Sequence, residues 1–332
     1  MERKRNAVIL ASGMYVPEQV VPNSYFNEML GQDVDSWLRE NVHIYERRWA
    51  AEDESTSDLV LKAARQTLER AKVKPEELDL IIVATDTPEY VSPSTASKVQ
   101  YLLGAEKAGT FDLNTACAGF VTALDTASKY IRDDENYQKV LVVGAYAMSK
   151  YLDKTDKKTA NLFADGAGAV LLGAEENSER GFLASQLKTQ GQYHDWMGIY
   201  AGGTKEPVTA GVVERKDHKL KFVKRFPTEL NPTIWSEMIL SLCKRIGVEV
   251  QEVDHFFITQ ININSIWATL DKLGVPHEKA HTVMHYYGYT GSACIPMALD
   301  EAWQMGKVKR GDLVFFIGSG GGLSFASAAF RL

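Results

Sequence analysis

Apolar and polar positions along this chain resolve into two segments with one layout. Leu61-Lys-Ala-Ala-Arg-Gln-Thr-Leu-Glu-Arg-Ala has amphipathic helical spacing, Lys74-Pro-Glu-Glu-Leu makes a polar turn, and Asp79-Leu-Ile-Ile-Val-Ala reads as a buried strand. Met238-Ile-Leu-Ser-Leu-Cys-Lys-Arg-Ile-Gly, Glu249-Val-Gln-Glu-Val and Asp254-His-Phe-Phe-Ile-Thr repeat that order. Asp79 and Asp254 stand about 175 residues apart, far beyond the period of a solenoid. Lys139-Val-Leu-Val-Val-Gly and Asp312-Leu-Val-Phe-Phe-Ile-Gly keep nearly the same offset, and a glycine-rich hairpin follows each (from Asp165 and from Gly320). The pattern predicts a duplicated α/β unit, residues 1–175 and 176–332. Its continuous apolar strands call for sheets covered by helices on both faces. Two packed halves then make a five-layered, pseudo-twofold body.

Composition narrows the function. Of 332 residues, 45% are hydrophobic and 24% charged, ordinary globular values, and the net charge of -6 argues against a nucleic-acid partner. The apolar run after Asn6 is too short for a signal peptide and is broken from Gly13 to Pro17. No stretch approaches the roughly 18 apolar residues of a membrane span. Three widely spaced cysteines without a CxxC pair point away from disulfides and towards a reducing cytoplasm. His281 and His285 lie in a stretch read as strand, where residues four apart sit roughly 13 Å from each other, so no metal site is expected.

Cys117 carries the chemistry. Phe111-Asp-Leu-Asn-Thr-Ala-Cys-Ala-Gly-Phe-Val reads as a strand breaking into a helix that begins near the cysteine. A helix N-terminus offers unpaired N–H groups and the positive dipole end, which favour the nucleophilic thiolate. The flanks Thr-Ala-Cys-Ala-Gly-Phe resemble the nucleophile motif of β-ketoacyl-acyl-carrier-protein synthase III. So do Ser36-Trp-Leu with Ile44-Tyr-Glu-Arg-Arg (His43 replacing a glycine), Ala84-Thr-Asp-Thr-Pro through Ala96, Thr155 with Leu162-Phe-Ala-Asp-Gly, and Gly318-Ser-Gly-Gly-Gly-Leu-Ser. The resemblance implies the thiolase fold and an acyltransferase that loads an acyl group on Cys117. It further implies an oxyanion hole made by the Cys117 N–H and the Gly320, Gly321, Gly322 turn. Arg47 and Arg48 are structural on this reading.

Two of the three catalytic side chains that the resemblance implies are replaced. Thr259 stands where the family has its histidine, with Gln260 and Asn262 keeping their places, and Tyr289 stands for the asparagine. Both carry hydroxyl donors, yet neither shuttles a proton near neutral pH as imidazole does. His285 is the candidate replacement. Acylation of Cys117 is therefore expected to survive better than decarboxylative condensation.

On the substrate side, the resemblance points to Trp37 stacking on coenzyme A, Lys157 meeting its phosphates, and Ser92 enlarging an acyl pocket unless Tyr90 or Trp196 refills it. Phe163, Gln260 and Asn262 complete that set. No cofactor is bound permanently; thioesters of coenzyme A or acyl carrier protein are the substrates. The stretch Arg215 to Arg225 is the candidate docking patch for a carrier, or else a charged strand pair. The acceptor stays open between a malonyl thioester in fatty-acid or polyketide assembly and a hydroxyl or amine. The expected assembly is a homodimer, or a heterodimer with a sister chain. The rival reading is a non-catalytic partner subunit of a heteromeric ketosynthase, against which the intact Cys117 motif argues. Chemistry resembling that of HMG-CoA synthase needs an acid that only Asp86 or Glu89 would supply, and the sequence places neither.

Overall fold

The computed structural model describes residues 5–332. The first half holds strands β1 (Arg5–Tyr15), β2 (Gln19–Pro22), β3 (Glu46–Trp49), β4 (Leu80–Ala84), β5 (Gly109–Leu113), β6 (Lys139–Ala147) and β7 (Asp165–Glu176). After them come β8 (Gly181–Thr189), β9 (Met197–Gly198), β10 (Lys221–Phe222), β11 (His255–Ile258), β12 (Leu313–Gly320) and β13 (Ser324–Arg331). Helices α1 (Asn23–Leu30), α2 (Asp35–Trp37), α3 (Thr56–Ala71), α4 (Thr95–Leu103) and α5 (Gly119–Asp133) precede β8. Helices α6 (Ala210–Glu214), α7 (Leu230–Ile246), α8 (Ile263–Leu273), α9 (Met284–Tyr287) and α10 (Cys294–Gln304) follow it.

Two sheets carry the fold, in the orders β1-β7-β6-β4-β5 and β8-β13-β12-β11. In the first, β4 runs parallel to β5 and β6, while β7 is antiparallel to both its neighbours. The second repeats those directions, with β11 parallel to β12 and β13 antiparallel to its neighbours. Strand alternation sorts the apolar residues into layers. Leu80, Ile82 and Ala84 of β4 join the central core, while Ile81 and Val83 face the outer one. Val314 and Phe316 of β12 likewise point to the central core and Leu313, Phe315 and Ile317 outward. Side chains alternate across a strand, so burial on both faces demands apolar residues throughout. Helices α5 and α10 pack between the sheets, α3 and α4 cover the first, and α7 and α8 cover the second. The result is the five-layered thiolase fold.

One expectation fails. The stretch His281 to His285, read as strand, pairs with the second sheet only through the bridge between Phe256 and Ala280, and the chain then coils into α9. Gln260 explains the change. Its side-chain oxygen accepts the N–H groups of Val283 (2.8 Å) and Met284 (3.2 Å), and its amide donates to the His281 carbonyl (3.1 Å). Backbone groups that a strand would pair are thus satisfied by one side chain. Arg47 is structural as expected: fully buried, it donates to Val21 O, Asn23 Oδ1 and Asn161 O at 3.0, 2.7 and 2.7 Å. His43 has φ +56°, the left-handed region that suits the glycine it replaces.

Candidate active site

Cys117 sits on a tight turn. Beyond β5, the Asn114 side chain accepts the Ala116 N–H (2.9 Å), and Ala116 itself takes φ +47°, a costly conformation for a residue with a Cβ. Ala118 and Gly119 then donate to Thr115 O and Ala116 O at 3.1 and 2.9 Å, and α5 begins. Cys117 is left buried at the head of α5, between the two sheets. Against it lies the end of β12. A Cβ added to Gly320 would stand 2.4 Å from the Cys117 nitrogen and 2.9 Å from the Ala116 Cβ, so only glycine permits this approach.

The carboxyl ends of the parallel strands bring further groups to the cysteine. Ala84 of β4 is in register with Leu113 of β5 and Gly144 of β6. Asp86 and Tyr146 each lie two residues past that row, and Cys117 follows β5. Tyr289 reaches the site from the second half, held by pairing with Phe163: Tyr289 N–H donates to Leu162 O and Ala164 N–H to Tyr289 O, both at 2.9 Å. Gly288, at φ +67°, lets the chain pass Arg47, whose Cβ a side chain there would meet at 2.6 Å. The Tyr289 ring packs 5.5 Å from Phe163 and 6.4 Å from Tyr146.

The surroundings of Cys117 oppose the thiolate that a helix end favours. Burial pushes the Cys117 thiol well up, the Asp86 carboxylate adds to the shift, and the hydroxyl of Tyr289 opposes both by hydrogen bonding to the sulfur. A helix N-terminus is worth about 0.3–1 kcal/mol at an exposed site, less than the desolvation of a buried anion. Burial likewise raises Tyr146 and Tyr289 well above the usual phenol range, Cys294 to about 12, and Asp86 to about 6.

Other sequence-derived candidates are spent on the fold. Thr259 is buried, and its hydroxyl accepts the Ser319 N–H at 2.9 Å, tying the ends of β11 and β12. Gln260 holds the 281–284 segment, and Asn262 caps α8 by accepting the Asn264 N–H at 3.0 Å. His285 has both ring nitrogens engaged, with His43 O (2.7 Å) and the Thr282 hydroxyl (2.9 Å). Trp37, Ser92 and Lys157 are exposed, as is Tyr90, and Trp196 stacks on Phe226 at 5.4 Å. Arg215 to Arg225 is no strand pair: only Lys221–Phe222 is strand, and Arg215, Lys216, Lys221 and Lys224 bridge to nearby acids. Among the described residues no cluster suited to a metal occurs. Asp86 and Tyr146 were the residues that sequence reading underrated. The available signal was a charged residue just past a fully apolar parallel strand, where α/β sheets place their ligands.

The family described as 3-oxoacyl-[acyl-carrier-protein] synthase III matches residues 111–191, and its C-terminal counterpart matches residues 243–332. A β-ketoacyl-[acyl-carrier-protein] synthase III of Syntrophomonas wolfei is 37% identical over 97% of this chain and 96% of that protein. The chain belongs to the β-ketoacyl-acyl-carrier-protein synthase III family. It is an acyltransferase of that type. The crystal structure of the synthase III from Aquifex aeolicus superposes with a TM-score of 0.89 at 33% identity, covering 98% of this chain and all 100% of that one. The priming β-ketosynthase of a polyketide biosynthetic pathway superposes at 0.87 with 28% identity, covering 100% and 98%. Such relatives do not favour the reading as a non-catalytic subunit.

Proposed function

We propose that Cys117 is the nucleophile, taking an acyl group from a coenzyme A or acyl-carrier-protein thioester and passing it to a second substrate. The carrying observation is the packing of Gly320 against the Cys117 amide at the head of α5. Backbone N–H groups of Cys117 and the Gly320–Gly322 turn there meet a thioester oxygen as charge develops on it, an effect worth about 10²–10³ in rate per donor. Phe163, Tyr146 and Tyr289 wall the acyl end with rings. On the second half-reaction, the Thr259 hydroxyl is held by Ser319 and that of Tyr289 by the sulfur. The Thr259 hydroxyl is thereby withdrawn from the enolate of a malonyl thioester, which weighs against condensation and towards a hydroxyl or amine acceptor.

A second copy of the chain is the proposed partner, and the exposed Tyr90, Val91 and Tyr101 leave apolar surface on the first half for it. The unpaired thiol chemistry fits a reducing, cytoplasmic compartment. Among the described residues no helix is long and apolar enough to cross a membrane.

Incubation with acyl-coenzyme A and acyl-carrier-protein donors of several chain lengths, read by intact mass, tests the reading. A single acyl adduct, absent from Cys117→Ala, is expected. No adduct with any donor refutes it.

A further inference from the structure

The acylation step lacks a base. Burial holds Cys117 as a thiol, Thr259 and Tyr289 carry neutral hydroxyls, no histidine is among the groups that act on the sulfur, and His285 has both ring nitrogens engaged. One group near it is unexplained. Asp86 is half-buried as a residue, yet its Oδ1 is sealed from solvent and has no hydrogen-bond partner, the only such carboxylate oxygen among the described residues. A sealed carboxylate oxygen without a partner is costly and calls for a reason. The alternatives are committed elsewhere. Glu89 pairs with Lys98 at 2.6 Å and accepts the Ser57 N–H at 3.0 Å, and Asp165 accepts from Ala50 N–H at 2.7 Å and from Ser149.

Register brings Asp86 to the same end of the sheet as Cys117, close enough for its charge to act on the thiol though not hydrogen-bonded to it. It lies two residues beyond the row Ala84–Gly144, beside Tyr146. A Cβ on Gly119, the first residue of α5, would stand 3.2 Å from the Ala84 Cβ, so the end of β4 abuts the turn that holds Cys117. Thr85 and Thr87 fix the loop on either side of Asp86: Thr85 N–H donates to Leu113 O (3.1 Å), and the Thr87 hydroxyl accepts the Ala147 N–H (2.9 Å).

We propose that the Asp86 carboxylate accepts the Cys117 thiol proton during acylation and returns it to the departing sulfur. The Sγ–carbon bond forms, the thioester carbon–sulfur bond breaks, and the proton moves from Sγ to Asp86 and then to the leaving thiolate. Asp86 ends as the carboxylate, and nothing is oxidised or reduced. Charge is conserved in the buried site. As the oxyanion forms Asp86 becomes neutral, so the pocket holds one negative charge throughout instead of two. The proposal rests on the acyltransferase reading above.

The test is single-turnover acylation by intact mass, from about pH 5 to 9, for wild type, Asp86→Asn and Asp86→Glu. A positioned general base is worth at least about 10². Asp86→Asn should therefore acylate about a hundredfold slower at neutral pH and gain rate as pH rises, while Asp86→Glu recovers most of the loss. Wild type should gain rate as Asp86 ionises near pH 6 and then level off. Cys117, Tyr146 and Tyr151 face Asp86, and Tyr289 and Cys294 face Cys117, all raised by burial out of the neutral range. Asp165, acting on Tyr146, is also raised to about 6, and its contribution persists in Asp86→Asn. A bystander Asp86 makes the opposite prediction, because deleting its charge eases thiolate formation and speeds acylation. Equal or faster acylation by Asp86→Asn, or a wild-type rate that climbs steadily to alkaline pH, overturns the proposal. No adduct on wild type overturns the acyltransferase reading and this role with it.

Discussion

Gly320→Ala puts the proposed oxyanion site to its sharpest trial. The added Cβ would stand 2.4 Å from the Cys117 nitrogen, 2.9 Å from the Ala116 Cβ and 3.0 Å from the Thr115 carbonyl oxygen. The first and last of these are backbone atoms of a turn already strained at Ala116, so neither can yield by a rotamer change. The β12 end must retreat from Cys117 instead. Forced repacking of this kind costs about 1–3 kcal/mol of stability. Retreat also pulls one set of N–H donors from the thioester oxygen, and loss of one donor lowers the rate by about 10²–10³. Two readouts separate these effects. Thermal melting reports the stability loss, and acylation of the folded variant reports the rate. Alkylation of Cys117 by iodoacetamide should continue, since the thiol remains. Gly321→Ala is the control: its added Cβ meets Met197 O at 3.3 Å and Ala116 Cβ only at 4.0 Å, so less than about a tenfold loss is expected. A folded Gly320→Ala protein that acylates at the wild-type rate would show that the glycine turn does not serve the reaction.

Other consequences follow from the same contacts. Tyr289→Phe keeps the ring against Phe163 but removes the hydroxyl from the sulfur; hydrogen bonds to charged groups are worth about 1.5–3 kcal/mol, so the thiol pKa should rise and alkylation near neutral pH should slow about tenfold or more. Thr259→Val should cost about 1–3 kcal/mol by orphaning the buried Ser319 N–H, with acylation retained; a large rate loss in a stable variant would instead make the hydroxyl a participant. Asp86→Asn should be more stable than wild type. The Asp86 carboxyl titrates near 6 in the folded chain against 3.8 unfolded, so wild type loses stability as pH rises between those values, by about 3 kcal/mol in all. The advantage of the variant should therefore be near zero below pH 4 and full above pH 7, as chemical denaturation at several pH values will read. A pH-independent difference would place the Asp86 charge outside the interior.

Much of this protein is written locally. Apolar strands such as Leu80–Ala84 and Leu313–Ile317 announce two-sided burial, because alternating side chains leave no face for polar residues. The repeated helix, turn and strand declare the duplication for the same reason. Cys117 stands out by its flanks, and the family resemblance alone sets Thr259 and Tyr289 at its histidine and asparagine positions without any coordinates. What the tertiary structure decided are quantities that no local window contains. Whether Cys117 is thiol or thiolate depends on how completely the two sheets exclude water, and exclusion outweighs the helix end. The meeting of Asp86, Tyr146 and Cys117 depends on the register of β4, β5 and β6, set by pairing between distant segments. The coil at His281 to Met284 depends on Gln260, a side chain some twenty residues away, outcompeting a strand partner for the backbone. Periodicity is carried by neighbours in the chain, whereas desolvation and register belong to neighbours in space.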